Sequence, residues 1–284
     1  MLSRRLLRQK KRSITLSDNR GDNAVDTSDA LGLSASLSHR TDNPPDLGSK
    51  LDEADVVVSI SQYNADYLKE NFPQVKQSRV AVLPLGVAPL SESPVKKTLS
   101  ADRPLRMLSV GRLSTQKAQE YLIRACAKLR DQGFAFHCTL VGEGPQRDLL
   151  EKEIEELDLA DYVELTGAKF HDEVLELYKE ADLFVMSSVA EGMPIVLMEA
   201  MQAGVPVIST AISGIPELLD YGKAGILVPP ADADAIADAA KQVIEQKVDL
   251  SELSQSAIDH ISDNFDQVKN AIRFKQLLES SLDG

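Results

Sequence analysis

The stretch "AEGMPIVLMEAMQAGVPVIST", residues 190–210, sets a glutamate on either side of an apolar run: Glu191 and Glu199, eight positions apart. A carboxylate accepts several hydrogen bonds, so two of them facing one pocket suit a polyol such as a sugar or a ribose. Gly192 and Pro194 follow Glu191 and open the helix spelled by "PIVLMEAMQAG". Pro194 suits the first helical turn. Glu191 then precedes the helix at its positive end, where a carboxylate or an oxygen-rich ligand is favoured. The helix is apolar on most faces and is expected to be buried. Glu199 would be a costly lone carboxylate inside it unless a donor or a ligand meets it. The plain alternative is a surface loop residue at Glu191 and a solvated helix position at Glu199.

A second group of residues could hold an anion. In "GRLSTQK", Gly111 ends an apolar run, Arg112 follows it, and Lys117 lies near the start of the next helix. A helix N-terminus offers free N–H groups and partial positive charge. Arg112 and Lys117 beside it would complete a phosphate clamp, each charge-assisted hydrogen bond contributing roughly 1.5–3 kcal/mol. As bare residue types they are equally two surface cations. In "VGEGPQR", Gly142 and Gly144 bracket a tight turn where a ligand could approach the backbone. Arg147 stands where a third glycine would complete a dinucleotide signature, so that reading is weak. Gly167 in "TGAKF" permits a close turn, and Gly214, Pro216 and Glu217 make another glycine turn into a helix. Asp232 and Asp234 in "DAD" could suggest a metal, but they open the helix "ADADAIADAA", where aspartates cap and complement the dipole. No metal is expected. His137 is read as a packed histidine within a strand.

The elements that must position these loops follow from hydrophobic pattern. Strands are predicted at "LRMLSVG" from 105, "FHCTLVG", "YVELTG", "LFVMSS", "PVIST" and "GILVPP". Between and after them lie helices at 117–132, 145–157, 171–180, 194–203, a short one from Pro216, and 232–246. Short apolar strands alternating with helices indicate an α/β fold with a doubly wound parallel sheet. Such strands are buried on both faces, hence apolar runs rather than alternations. Ligands bind there beyond the carboxyl ends of the strands, where all these loops lie. Upstream, "ADVVVSIS" and "RVAVLPLGV" read as strands around a helix at "YNADYLKENF". Two further helices fill 249–282. Residues 1–50 show no period and are expected to be poorly ordered, and the proline-bearing stretch 91–104 reads as a linker.

Composition bounds the partners. The formal charge is −13, a poor match for nucleic acid. Every charged residue among 1–12 is nevertheless basic (Arg4, Arg5, Arg8, Lys10, Lys11, Arg12). That run is either a solvated tail or a weak contact with an anionic membrane surface. The two cysteines, Cys126 and Cys138, fit no zinc spacing and are expected as free buried thiols in a reducing, cytoplasmic compartment. No apolar run is long enough to span a bilayer, and no secretory signal is visible.

From about 52 to 275 the chain resembles the retaining glycosyltransferases of the two-Rossmann GT-B architecture, often called family 4. The resemblance rests on "ADVVVSIS", "VLPLGV", "SVGRLSTQK", "LVGEGP", "VELTGA", "ADLFVMSS", "EGMPIVLMEAM", "AGVPVIST", "SGIPELL" and "GILVPP", all in family order. It implies a nucleotide-sugar-binding Rossmann-like domain over 105–248, C-terminal helices over 249–284, and a remnant of the N-terminal Rossmann-like domain over 51–90. It implies that Arg112 and Lys117 hold the donor diphosphate, that Glu191 meets the transferred sugar, and that Glu199 meets the nucleotide ribose. The backbone of Gly192, Met193 and Pro194 would approach the sugar and phosphate, with Gly111, Gly142, Gly144 and Gly167 lining the donor side. Two departures stand out. The acceptor-binding N-terminal domain is largely missing, with "HRTD" at His39 only a faint echo of an active-site histidine, and Ala118 follows Lys117 where the family usually has glycine.

The resemblance implies transfer of a sugar from a nucleotide-diphosphate donor to an acceptor, with retention of configuration and without a metal or other cofactor. The acceptor is unknown: lipids, polysaccharides and small molecules are all used by such enzymes. The alternative is a nucleotide-sugar-binding subunit that needs a partner chain carrying the acceptor domain. An epimerase on the same architecture ranks below both, because the glutamate pair and the Arg112–Lys117 loop fit the transferase pattern.

Overall fold

The computed structural model describes residues 47–76, 79–90, 94, 99 and 103–282, together with two short strands, Ser13–Leu16 and Ser34–Ala35. Residues 1–12, His39 and most of 91–104 lie outside the described residues. The chain divides into two compact units. One comprises residues 1–88, 191–193 and 264–284, and the other residues 89–190 and 194–263.

In the first unit, strands β1 (Ser13–Leu16), β2 (Ser34–Ala35), β3 (Val56–Ser59) and β4 (Val80–Val82) form a parallel sheet in the order β2-β1-β3-β4. Two of these strands correct the expectation that nothing ordered precedes residue 51, as does helix α1 (Leu47–Glu53). A four-residue strand between polar stretches has no local signature. Its register comes from distant pairing, Ser13 opposite Val56 and Leu16 opposite Ser59. Helix α2 (Gln62–Asn71) starts at Ser61, whose hydroxyl accepts from the Asn64 N–H at 3.1 Å. Leu47, Leu51, Val57, Leu68 and Val75 make this unit's small core.

The second unit carries the sites of interest. Its strands are β5 (Leu105–Val110), β6 (Phe136–Val141), β7 (Val163–Gly167), β8 (Leu183–Met186), β9 (Val207–Thr210) and β10 (Ile226–Val228). They form one parallel sheet in the order β10-β9-β8-β5-β6-β7. The connecting helices are α3 (Gln119–Asp131), α4 (Arg147–Glu156), α5 (His171–Glu180), α6 (Ile195–Gln202), α7 (Ile215–Leu218) and α8 (Ala233–Ile244), followed by α9 (Leu250–Asn264). The predicted alternation is thus observed strand for strand, with ends shifted by a residue or two. Strand order runs outward from β5 to β7, then returns to the other side of β5 at β8. This reversal opens a crevice at the carboxyl ends of β5 and β8. The loops that follow these two strands hold Arg112, Lys117 and the opening glutamate segment.

The C-terminal helices, read from sequence as one segment 249–284, divide between the units near residue 264, α10 (Gln267–Leu282) falling in the first. Within that unit the Val87 N–H donates to the Phe265 carbonyl at 2.9 Å, and the Gln267 N–H donates to Val87 at 3.1 Å. Gly86 lets the two backbones meet, since a Cβ there would lie 2.5 Å from the Gln267 nitrogen. The buried Asn270 amide donates to the carbonyls of Pro84 and Asn264. The glycine of "PLGV" therefore marks a backbone crossing.

Two other expectations meet the structure differently. His137 is half exposed on β6, 3.8 Å from Glu164, because the solvated face of this outer part of the sheet alternates with the packed one. Asp232 caps α8 by accepting from the Ala235 N–H at 2.9 Å, and Asp234 pairs with Lys128 at 2.6 Å. Cys126 and Cys138 are buried as free thiols, and the neighbouring Cys138 thiol together with burial pushes Cys126 up. Among the described residues no helix is long and apolar enough to cross a membrane.

The β5–β8 seam is fastened at its base by Asp182. Its carboxylate accepts from Arg103 at 2.5 and 2.6 Å and from the Arg106 N–H at 2.9 Å, while its own N–H donates to the Arg106 carbonyl. Burial opposes the charged form, but the Arg103 and Arg106 contacts prevail and hold the carboxyl below its usual value. Its folded value being depressed, its stabilisation is full above about pH 4 and is lost as pH falls further. Asp182→Ala should cost roughly 1.5–3 kcal/mol in urea unfolding at neutral pH, because Arg103 is partly hydrated and recovers some of the loss. The difference from wild type should shrink toward pH 3; an equal gap at both pH values would remove the ion pair as its source.

Candidate functional site

Three loops follow β5, β6 and β7, and their backbones are laced together. The Gly111 N–H donates to Val141, Leu113 donates to Glu143, Gln146 donates to Leu113, and Gly142 donates to Gly167, all between 2.9 and 3.1 Å. This lacing leaves no room for side chains. A Cβ on Gly142 would fall 1.9 Å from the Gly111 oxygen, and one on Gly144 would fall 2.2 Å from the Leu113 oxygen. Gly142 also has φ of +146°, which other residues rarely adopt. These two glycines were expected to admit a ligand to the backbone. Their missing side chains admit the neighbouring loop, and the segment that carries Arg112 and Lys117 rests on that crossing. Gly167, at φ +79°, would set a Cβ 3.0 Å from Glu143 Oε1. Glu143 in turn pairs with Arg147 at 2.6 Å, so Arg147 works as an ion-pair partner where a third glycine was sought.

Gly111 has another role. A Cβ there would meet Lys117 Cε at 3.2 Å and Nζ at 3.6 Å. The lysine side chain therefore folds back over Gly111, half-buried, at the carboxyl end of β5, while Arg112 beside it is exposed. The loop between them closes as a turn, with the N–H groups of Lys117 and Ala118 both donating to the Ser114 carbonyl. Ala118 is fully buried in the left-handed region at φ +49° and provides no side-chain cap to α3. The alanine thus sits in a conformation that glycine adopts without strain. Gln119, buried at the first turn of α3, donates from Nε2 to the Arg112 carbonyl at 3.0 Å, and its Oε1 has no partner among the described residues.

The loop after β8 is tied to the same turn. The Val189 N–H donates to the Gln116 carbonyl at 2.8 Å, and Ser187 Oγ donates to the Lys117 carbonyl at 3.2 Å. Thr210 Oγ1 donates to Ser188 at 2.6 Å. Four buried polar residues at the strand ends, Ser187, Ser188, Ser209 and Thr210, form the floor beneath these loops. Their polarity at apolar strand ends was the sequence signal for them, and it was passed over. The crevice at the strand-order reversal is therefore built from backbone and small hydroxyls, with Lys117 and Arg112 as its cations.

Pro194 is the N-cap of α6, with φ −71° and ψ 118°, so the helix begins at Ile195, one residue later than expected. Its carbonyl accepts from Leu197 and Met198. Glu199 is on α6 in the second unit with Arg112 and Lys117, whereas Glu191, Gly192 and Met193 group with the first unit. Glu199 is not the lone carboxylate the sequence suggested. Its side chain is 16% exposed, the Tyr178 hydroxyl lies 3.3 Å from Oε2, and His171 Nδ1 lies 3.7 Å from Oε1. Both partners are on α5. Burial pushes the Glu199 carboxyl above its ordinary value, with His171 and Tyr178 opposing. Tyr178 is itself pushed well up by burial and then by the Glu199 charge. Neither partner could be paired with Glu199 from sequence, because α5 and α6 are separate elements whose facing is set by packing on β8.

The two backbone anomalies predict opposite outcomes. Gly142→Ala should cost at least about 3 kcal/mol in thermal or urea unfolding, because the collision is with backbone that cannot yield. Ala118→Gly should stay within about 0.5 kcal/mol of wild type, relief of left-handed strain offsetting the added chain entropy and a lost methyl group. The control Ala125→Gly, inside α3, should lose about 1 kcal/mol or more. An Ala118→Gly loss as large as the control would show that residue 118 is not in the strained region.

Residues 92–260 match the family described as glycosyl transferases group 1. The WcaL protein of Escherichia coli K12, whose name assigns it to colanic acid biosynthesis as a glycosyltransferase, is 36% identical over 241 residues, 81% of this chain and 57% of its own. The amylovoran biosynthesis glycosyltransferase AmsK of Erwinia amylovora is 34% identical over 71% of this chain and 50% of its own. The chain thus spans about half the length of these relatives. Among solved structures, sucrose-phosphate synthase of Thermosynechococcus elongatus superposes with a TM-score of 0.73 at 27% identity, covering 83% of this chain and 60% of its own. The Anabaena protein Alr3699/HepE, solved in complex with UDP, gives a TM-score of 0.71 at 22% identity over 89% and 74% of the two chains, a likeness of fold. The doubly wound sheet and the matched span agree: this chain belongs to the group 1 glycosyl transferases and has a Rossmann-like domain of the GT-B type.

Proposed function

We propose that the chain is part of a glycosyltransferase that moves a sugar from a nucleotide-diphosphate donor to an acceptor with retained configuration. The observation that carries this reading is the half-buried Lys117 folded over Gly111, beside Arg112, at the strand-order reversal of an otherwise acidic chain. Two cations and the first turn of α3 make an anion site there. In transfer, the diphosphate gains charge as the sugar leaves through an oxocarbenium-like transition state, and Arg112, Lys117 and backbone N–H groups would stabilise that charge. Glu199 would accept from the ribose hydroxyls. Glu191 is assigned to the transferred sugar on the family pattern, with Gly192, Met193 and Pro194 following it. The departing phosphate itself would take the acceptor proton, so no protein base is invoked. The positive charge of the clamp makes a metal unnecessary.

The second reading is a nucleotide-sugar-binding subunit whose acceptor domain lies on a partner chain. Co-purification of a second chain required for transfer would select it. Membrane contact through residues 1–12 and a cytoplasmic location are expectations from the sequence, which names neither the acceptor nor the donor base.

Calorimetric titration with UDP, GDP and ADP should give binding with at least one of them. Arg112→Ala and Lys117→Ala should each weaken it by roughly 1.5–3 kcal/mol. A folded sample that binds none of the three would sink the assignment. Chelation of divalent ions should leave the affinity unchanged, and a large loss would bring metal chemistry back. Glu199→Gln should weaken both the bare nucleotide and its sugar conjugate, whereas Glu191→Gln should weaken only the conjugate. Equal effects of the two variants on both ligands would refute this division of labour.

A further inference from the structure

Glu199 is held from one direction by a single helix. Tyr178, fully buried on α5, has its hydroxyl oxygen 3.0 Å from the Val196 carbonyl oxygen and 3.3 Å from Glu199 Oε2. A phenol carries one proton, so it donates fully to only one of these acceptors at a time. His171, the first residue of the same helix, faces the other carboxylate oxygen at 3.7 Å, with its own side chain largely in solvent. Among the described residues, His171 and Tyr178 are the titratable groups that act on Glu199.

The geometry allows two proton arrangements. With Glu199 ionised, Tyr178 donates to it, and the remaining carboxylate lone pairs can accept from hydroxyl donors of a ligand. When Glu199 takes up one proton from solvent, its new O–H can donate to the Tyr178 oxygen, and the phenol turns its proton to the Val196 carbonyl. In that second arrangement the carboxyl has lost acceptor strength, and a diol meeting it loses its charge-assisted hydrogen bonds. Switching costs no side-chain movement, only rotation of one hydroxyl.

On the assignment of Glu199 to the donor ribose, we propose that Tyr178 and His171 are positioning residues for nucleotide binding. They fix the Glu199 carboxylate and keep it ionised, so that uptake of a single proton by this cluster weakens the hold on the ribose. Burial raises the Glu199 value, so the weakening sets in as pH falls through a point above the ordinary carboxylate range. Removing either partner takes away a contact that favours the ionised form, so each variant should lose binding at a higher pH than wild type does.

The test is calorimetric binding of UDP, GDP and ADP between about pH 4.5 and 8 for wild type, Tyr178→Phe, His171→Gln and Glu199→Gln. Ionisation of the nucleotide's own phosphate is common to all four and cancels in ratios of Kd. For Tyr178→Phe the ratio to wild type should be small and constant at the alkaline end and grow toward about tenfold at the acid end, the value for a midpoint displaced by one pH unit. His171→Gln should show the same trend, and its exposed position makes folding secure if Tyr178→Phe proves unstable. Ratios flat with pH for both variants overturn the proposal. Glu199→Gln separates the two levels. If it binds like wild type throughout, the ribose assignment itself falls; if it is weakened while the partner variants follow wild type at every pH, only the positioning role falls.

Discussion

The approach of Gly142 and Gly144 to the carbonyls of Gly111 and Leu113 is the constraint from which the candidate site is built. At these distances no side chain fits, so the loops after β5 and β6 touch backbone to backbone. That contact anchors the start of "GRLSTQK", and the Ser114 turn then brings Lys117 back over Gly111. The loop after β8 closes on the same turn through Gln116 and Lys117 carbonyls. On the proposed reading, a cation held this way would have less freedom to lose on meeting an anion, and the glycines would act on that ligand indirectly, by fixing the loop that carries the charge.

The electrostatics follow from the same arrangement. The chain is acidic as a whole, yet the crevice at the strand-order reversal presents Arg112 and Lys117 above a floor of serines and a threonine. The Ser187 and Thr210 hydroxyls satisfy the Lys117 and Ser188 carbonyls there without adding charge. Glu199 is the exception on the second unit's side: a largely buried carboxylate whose desolvation is offset in part by a phenol and an imidazole. A buried acid kept with only partial compensation is a pattern of binding sites. The fold could have replaced it by an apolar residue at little cost to stability.

Much of the second unit was legible in the sequence because its signals are local. Short apolar runs end in glycine at β5, β6 and β7, and several helices follow with aspartate or proline near their starts, as at Pro194, Pro216 and Asp232. Asp232 was correctly read as a cap because capping is decided within four residues. The first unit was less legible. Ser13–Leu16 and Ser34–Ala35 are too short to carry a pattern, and their pairing, the first with Val56–Ser59 and the second with the first, is set across roughly twenty to forty residues. The same limit explains the site. Arg112, Lys117, Glu191 and Glu199 were singled out from motif spacing, but Tyr178 was read only as part of a helix. Its contact with Glu199 depends on how two helices pack on one strand. Gly142 and Gly144 were read as close-approach points, and the structure shows that the loop after β5 is one of the things that approaches them; a glycine in sequence announces a close approach and does not say what approaches.

Ala118 ties these strands together. The family pattern favours glycine there, and the left-handed φ at that position supplies the physical reason. Alanine is the smallest residue that can be forced into this conformation, and here it is forced by its neighbours: the Ser114 turn before it, α3 after it, and complete burial around it. The strain sits one residue from Lys117, at the entry of α3. A non-glycine residue held in the left-handed region implies that the surrounding contacts outweigh a strain of about 1–2 kcal/mol. The course of this loop is thus determined by the lacing of three strand-end turns, and the strained residue next to Lys117 is tolerated because of that lacing.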